Sequence, residues 1–248
     1  MWHNKIVSVI FPTYNEKGSI REAIEDFFNS GYVDEIVVVN NNAALGTDEE
    51  VKKTKACLVY EKKQGYGYAI QKGLKEAKGE LLIISEPDGT FLGRDIVKLL
   101  AYSDDFDYVL GTRTTRELIW EGANMDRFLK WGNWVVAKMM EFLFNSTTLT
   151  DMGCTMRLLK RNAYNIIKDK FTIGSSHFGP EMTLLIITHK IKFVEISVNY
   201  KKRVGKSQVT GSKFIAFLLG LKMIGLVLRF RFRSIIGKKS LKEIENAN

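Results

Sequence analysis

An alternation in the first half of this chain limits what it can fold into. Short, β-rich apolar runs are each followed by a segment of helical period. Ile6–Phe11 reads as a strand and Ser19–Asn29 as a helix. Glu35–Val39 is the next strand, with a weaker helix near Asp48–Lys55. Cys57–Tyr60 is a short strand, and Tyr66–Ala77 a helix that ends at Gly79. Leu81–Ser85, Arg94–Tyr102 and Asp107–Gly111 continue the series as strand, helix and strand. Such a pattern predicts an α/β fold with a largely parallel sheet and helices on both faces. In that architecture the loops at the carboxyl ends of the strands line the ligand crevice. Polar residues and glycines collect at those positions: Pro12–Glu16, Asn40–Asn42 and Glu86–Thr90.

The second half is less regular. Asn124–Asn145 reads as one long helix, whose Trp131, Trp134, Met139 and Met140 are most simply core. Thr183–His189 reads as helical and Lys192–Asn199 as a half-exposed strand. There is no internal repeat and no low-complexity linker, which favours one domain over residues 1–210. The N-terminus runs straight into a strand and has no signal-peptide layout. Cys57 and Cys154 form no CxxC or Cys/His cluster, as expected of free thiols in a reducing compartment. His3, His177 and His189 show no ligand spacing, so no histidine is expected in catalysis.

The net charge of +9 is unevenly placed. Met1–Glu195 carries 25 Lys and Arg against 26 Asp and Glu, whereas Ile196–Leu241 carries 11 basic residues and no acidic one. A basic end of this kind suits phospholipid headgroups, nucleic acid or a phosphorylated substrate. Phe214–Leu228 is also strongly apolar: 15 residues with Lys222 as its one charge, which is too short for a bilayer span. On a helix, Lys222, Arg229 and Arg233 share one sector, with Phe217, Ile224 and Leu228 on the other side. That arrangement predicts a helix lying in the membrane interface over 211–236, followed by a polar tail over 237–248. The apolar content favours lipid over nucleic acid. A helix packed on the domain itself, or a dimer contact, fits the same residues.

Two segments carry candidate chemistry. Phe11–Glu16 leaves the first strand with Tyr14 available to stack on a nucleobase and Glu16 to accept from ribose or base donors. It is equally a strand–turn–helix connection with Ser19 near the cap. Glu86 and Asp88, one residue apart after a buried strand, suit a hard divalent cation that takes the rest of its shell from waters and substrate phosphates. An acidic turn around Pro87 and Gly89 explains the same residues. Gly65 and Gly67 precede a helix, where backbone can approach a phosphate. Asp151 and Arg157 are expected to pair and hold a loop. Glu181 is either a helix N-terminal carboxylate or a donor-sugar contact.

Taken together, Val7–Glu16, Glu35–Ala43, Gln64–Gly73, Glu86–Thr90, Gly111–Arg113, Asp151–Arg157 and Tyr200–Gln208 resemble the family-2 glycosyltransferases in order and spacing. Within that family they are most similar to the dolichyl- and polyprenyl-phosphate sugar synthases. The resemblance covers roughly residues 5–210 and departs from the family pattern at three places. Glu86 stands where the metal loop usually begins with Asp. Asn40 stands where an Asp usually contacts the nucleobase, and Gln208 where the last motif ends in Lys.

The resemblance implies a GT-A fold and transfer, with inversion, from a UDP-sugar or GDP-mannose to a polyprenyl or dolichyl phosphate. It implies Mg2+ or Mn2+ held by Asp88, Glu86 and Thr90, and a peripheral protein on the cytoplasmic face of the membrane. Donor-binding candidates are Pro12, Tyr14, Asn15, Glu16, Asn40, Gly65 and Gly67 besides the metal loop. Arg113, Arg203 and Ser207 are candidates for the acceptor phosphate, with Arg113, Arg203 and Asp88 in catalysis. The alternatives are a transferase of the same fold acting on a soluble sugar, glycan or protein hydroxyl, and a non-catalytic membrane adaptor that keeps the nucleotide-sugar fold.

Overall fold

The computed structural model describes residues 1–123, 125, 127–205 and 212–245, with side chains to Ile236. Ser207 and Gln208 lie outside the described residues. The strands β1 (Val7–Thr13), β2 (Glu35–Asn40), β3 (Cys57–Tyr60), β4 (Leu81–Ile84), β5 (Tyr108–Thr112), β6 (Arg157–Lys160) and β7 (Phe193–Ser197) form one sheet in the order β3-β2-β1-β4-β6-β5-β7. From β1 the chain builds outward through β2 and β3, then returns to lay β4 on the other side of β1. That reversal leaves a crevice at the carboxyl ends of β1 and β4. Strand β6 runs antiparallel between β4 and β5, so the sheet is mixed.

Strand side chains alternate between faces, and the sheet separates two cores accordingly. Val7, Val9 and Phe11 pack with α1 (Ile20–Asn29) and α4 (Ile96–Tyr102). Ile10, Val37, Val39 and Leu82 pack on the other side with α3 (Tyr66–Glu76), α6 (Arg161–Ile167) and α7 (Phe178–Thr188). The short α2 (Thr47–Lys52) links β2 to β3. Helix α7 starts earlier than the sequence pattern predicts. Pro180 falls in its first turn, where a missing N–H costs no helical bond.

Two long helices cover the second core. In α5 (Arg127–Phe144), Val136, Ala137 and Met140 face inward. Trp131 and Trp134 turn away and are 66% and 44% exposed, which corrects the expectation that they are core. Helix α8 (Lys213–Glu245) is longer than the 15-residue apolar run and continues through most of the expected tail. It carries two apolar faces. Met223, Leu226 and Val227 are buried in the second core, while Phe214, Phe217, Leu221, Leu228 and Phe232 are exposed. Lys222, Arg229 and Arg233 are exposed and share the sector beside that outer stripe. Among the described residues, no helix is long and apolar enough to cross a membrane.

Candidate active site

A cavity of about 590 Å3 occupies the crevice. Its inner end is lined by Pro12, Tyr14, Asn15, Glu16, Glu86 and Arg203. Its outer end is walled by α5 and α8. Tyr14, just after β1, is 38% exposed on the lining.

The inner end is organised by one guanidinium among three carboxylates. Arg203 Nη2 donates to Glu16 Oε1 at 2.8 Å. Its Nη1 lies 2.8 Å from Asp88 Oδ2 and 3.6 Å from Glu86 Oε2. The contact to Asp88 is a charge contact without hydrogen-bond alignment, so Asp88 Oδ2 is buried with no hydrogen-bond donor. Backbone bonds from Lys201 N to Thr90 O and from Val204 N to Asp88 O pin residues 201–204 against the acidic loop, which fixes Arg203 there. The loop turns at Gly89, whose φ of +80° suits a residue with no side chain.

The other oxygens of Asp88 and Glu16 are already engaged. Asp88 Oδ1 accepts from Thr90 N and Thr90 Oγ1 at 2.9 and 2.5 Å. Thr90 thereby orients Asp88. Glu16 Oε2 accepts from Tyr14 N and Asn15 N at 2.7 and 2.8 Å, so this carboxylate builds the turn while its residue lines the cavity. Ser19 does not cap α1; its hydroxyl donates to Pro87 O at 2.7 Å and ties the first turn to the acidic loop. Burial, and then the charge of Asp88, push the Glu86 carboxyl up to about 8 against the pull of Arg203. Arg203 is itself held above its ordinary range: burial opposes its charge, and Asp88, Glu86 and Glu16 outweigh that opposition.

This geometry fits a dication. Three carboxylates face one guanidinium, one carboxylate oxygen has no donor, and a second carboxyl is inclined to take a proton to relieve the crowding. Among the described residues, no three His, Cys, Asp or Glu side chains form a metal-holding group by themselves. Asp88 and Glu86 would thus supply two anchors, with donor phosphates and water completing the shell.

Other predicted residues turn out to have structural partners. Arg113 forks onto Asp151 through Nε and Nη2 at 2.8 and 2.9 Å, and both side chains are buried. Burial alone would raise Asp151, but Arg113 and the Gly153 amide outweigh it and hold the carboxyl below its ordinary range. The expected Asp151–Arg157 pair does not form; Asp151 pairs instead with Arg113, which also lines the cavity. Arg157 instead donates to Tyr108 Oη, Gly179 O and Cys154 O. Asn40 lies off the cavity, donating to Asp48 and accepting from Ala43 N. Glu181 is fully buried and accepts from Thr172 N and Ile173 N, which is a structural role. A β-carbon on Gly65 or Gly67 would fall within 3 Å of backbone at Ile173 or Gly174, so close packing of that loop already requires both glycines.

Sequence reasoning missed Asn41, Tyr66 and the place of Trp131 on the cavity lining. Asn41 is buried beside the cavity, donates to Glu61 O and Lys63 O, and accepts from Gly65 N. It was legible only as one of three consecutive asparagines. Tyr66 lines the cavity, and burial together with Glu86 holds its phenol well above the ordinary range, so it stays protonated.

The sequence profile of glycosyl transferase family 2 matches residues 8–167, which include β1–β6 and the acidic loop. The chain belongs to this family. As a family-2 glycosyltransferase it is 23% identical to a UDP-N-acetylglucosamine–dolichyl-phosphate N-acetylglucosaminyltransferase of Methanococcus voltae, over 89% of this chain and 97% of that protein. It is 25% identical to a dolichyl-phosphate hexose transferase of Haloferax volcanii, over 82% of this chain and 86% of that one. The low-salt glycan biosynthesis hexosyltransferase Agl6 of Haloferax volcanii is 25% identical over 86% of this chain, which spans only 53% of Agl6.

Among solved structures, glucosyl-3-phosphoglycerate synthase of Mycobacterium tuberculosis superposes with a TM-score of 0.70 at 12% identity, covering 92% of this chain and 79% of that one. That structure contains Mn2+, UDP and phosphoglyceric acid. The shared architecture is the GT-A fold, as the sequence resemblance implied. The enzyme is a glycosyltransferase.

Proposed function

We propose that the enzyme transfers a sugar from a nucleotide-sugar to a polyprenyl or dolichyl phosphate, with inversion, at the cytoplasmic surface of a membrane. The observation that carries this reading is the continuity of one cavity. An Arg203–carboxylate cluster lies at its inner end, and an apolar wall of α5 and α8 at its outer end. Relatives named for dolichyl phosphate transfer support the acceptor class.

A phosphate acceptor also needs no catalytic histidine. The second pKa of a phosphate monoester is about 6, so its oxygen arrives deprotonated and needs no strong base. That oxygen attacks the anomeric carbon from the face opposite the nucleoside diphosphate. The new C–O bond forms as the bond to the diphosphate breaks, and the diphosphate leaves with the electron pair. Mg2+ or Mn2+ on Asp88 and Glu86 would neutralise charge building on the leaving group. Tyr14 stacks the base, Thr90 fixes Asp88, and Glu16 and Arg203 hold the two loops at a set distance. Were Asp88 and Glu86 to hold a cation, their charge would be drawn to it, and the guanidinium of Arg203 would be the cationic group left to meet a phosphate. The outer face of α8 rests on lipid, where attraction to anionic headgroups contributes about 1 kcal/mol per basic residue.

A panel of radiolabelled nucleotide-sugars, offered with polyprenyl phosphate and separately with polyprenol, tests this reading. The expected result is transfer to the phosphate only, abolished by EDTA and restored by Mg2+ or Mn2+. Equal transfer to polyprenol, or to a soluble sugar, overturns it.

A further inference from the structure

Helices α5 and α8 meet at the C-terminal end of α5. Arg231 of α8 lies over the Phe144 ring at the end of α5, 5.9 Å from its centroid. Nearer their N-termini, both helices line the cavity: Phe128, Trp131 and Val135 from α5, and Phe217, Leu221 and Ile224 from α8. Two positions in this stretch have no side chain at all. A β-carbon added at Gly132 or Gly220 would meet no atom within 4 Å. Neither glycine has positive φ, and neither is needed for close packing, so each leaves space. The result is an apolar slot whose outer lip carries the exposed Phe128, Trp131, Phe217 and Leu221. Its inner end meets Arg203 and Glu86.

We propose that this slot between α5 and α8 holds the phosphate-proximal isoprene units of the acceptor, measuring chain length as well as admitting the phosphate. The inference rests on the polyprenyl-phosphate reading above. The occupant follows from the slot's two ends. A nucleotide-sugar has one flat base to stack and no extended apolar segment to fill the slot, whereas an amphiphile with a single anionic head matches both ends. The occupant also follows from size. At about 590 Å3 the whole cavity is that of a drug-sized ligand, roughly 300–1,000 Å3, and part of it must take the donor. It can therefore enclose only the first units of a polyprenyl chain. The remainder leaves through the lip into the lipid on which the outer face of α8 rests. Phe128 and Trp131, which a core role would bury, are exposed because they form that lip.

The test uses prenyl phosphates of five, ten, fifteen and twenty carbons in solution without vesicles, so that membrane docking plays no part. With the full-length enzyme, KM should fall on the order of tenfold per added unit until the slot is filled, and then level. In Gly220→Phe and Gly132→Leu that dependence should flatten after the shortest acceptor, with donor binding unchanged by calorimetry. As a measurement that needs no filled variant, a nitroxide-labelled farnesyl phosphate should quench a tryptophan signal that Trp131→Phe removes. If the chain-length gain survives in both glycine variants and Trp131 is not quenched, the slot is not the chain's path, although the acceptor class stands. If no prenyl phosphate of any length is used, the acceptor reading itself fails.

Discussion

Asp88 shows how a side chain legible in sequence acquires its role from neighbours that are not. One of its oxygens is fixed by Thr90, and the other faces Arg203 without a hydrogen bond. Asp88→Asn should lower kcat by roughly 10²–10³, the cost of removing one preorganised electrostatic group, with an unchanged circular dichroism spectrum. Glu86→Asp should retain activity, because the ligand type is kept. Arg113 behaves differently. Removing its partner in Asp151→Ala leaves a buried guanidinium without a counter-ion, so denaturant unfolding should show a loss of about 3–5 kcal/mol. An Arg113 variant that keeps full stability and loses only acceptor affinity would support the phosphate role the sequence suggested. Sequence placed Asp88, Glu86, Tyr14 and Arg203 in one crevice, because each follows a strand end or a recognisable motif. It could not assign partners. Asp151 lies 38 residues from Arg113 and only 6 from Arg157, and nearness in the chain favoured the pairing that does not form.

At the scale of elements, the first half was readable because each buried strand is a continuous apolar run bounded by turn residues. Strand β6 was not, since Arg157–Lys160 has two apolar residues between two basic ones and becomes a central strand only by pairing with β4 and β5. Helix α8 combines two uses that the sequence reading set out as alternatives. A stripe of one apolar face opposite basic residues accounts for only half of its apolar content, because a second face packs on the domain. The two faces should separate by mutation. Leu226→Ala, in the packed face, should cost about 2–5 kcal/mol of stability and leave vesicle binding in place. Leu221→Glu with Phe232→Glu should leave the melting temperature nearly unchanged and abolish flotation with anionic vesicles. Lys222→Ser, Arg229→Ser and Arg233→Ser combined should weaken that binding by about 3 kcal/mol, with the difference vanishing in high salt. Loss of flotation in Leu226→Ala alone would mean that the faces are assigned the wrong way round.

The molecule as a whole is electrically polar, with its net positive charge at the end that carries α8 and an excess of carboxylate in the crevice. That crevice sets a pH dependence whose sign can be worked out. The Glu86 carboxyl is raised from its ordinary 4.5 to about 8, through burial and then the charge of Asp88. A folded-state value above the unfolded one means that the native protein binds the proton more tightly. Without metal, this group's contribution to stability is fully present below about 4.5 and is lost as the pH rises through 8. A divalent cation needs the same carboxylate ionised, so it competes with the proton. Mn2+ affinity should accordingly rise with pH, by up to about tenfold per unit for a single displaced proton, and level off above 8. Titration calorimetry in buffers of different ionisation heat should count close to one proton released at pH 6.5 and almost none at pH 9. Stabilisation of the fold by Mn2+ should grow over the same interval, offsetting the loss suffered by the metal-free enzyme. Glu86→Gln removes the titrating group; it should flatten the curve while Asp88 retains residual affinity. A Mn2+ affinity already independent of pH between 6.5 and 9 in the unsubstituted enzyme would mean that Glu86 neither holds a proton there nor faces the metal, leaving Asp88 as the sole anchor from this loop.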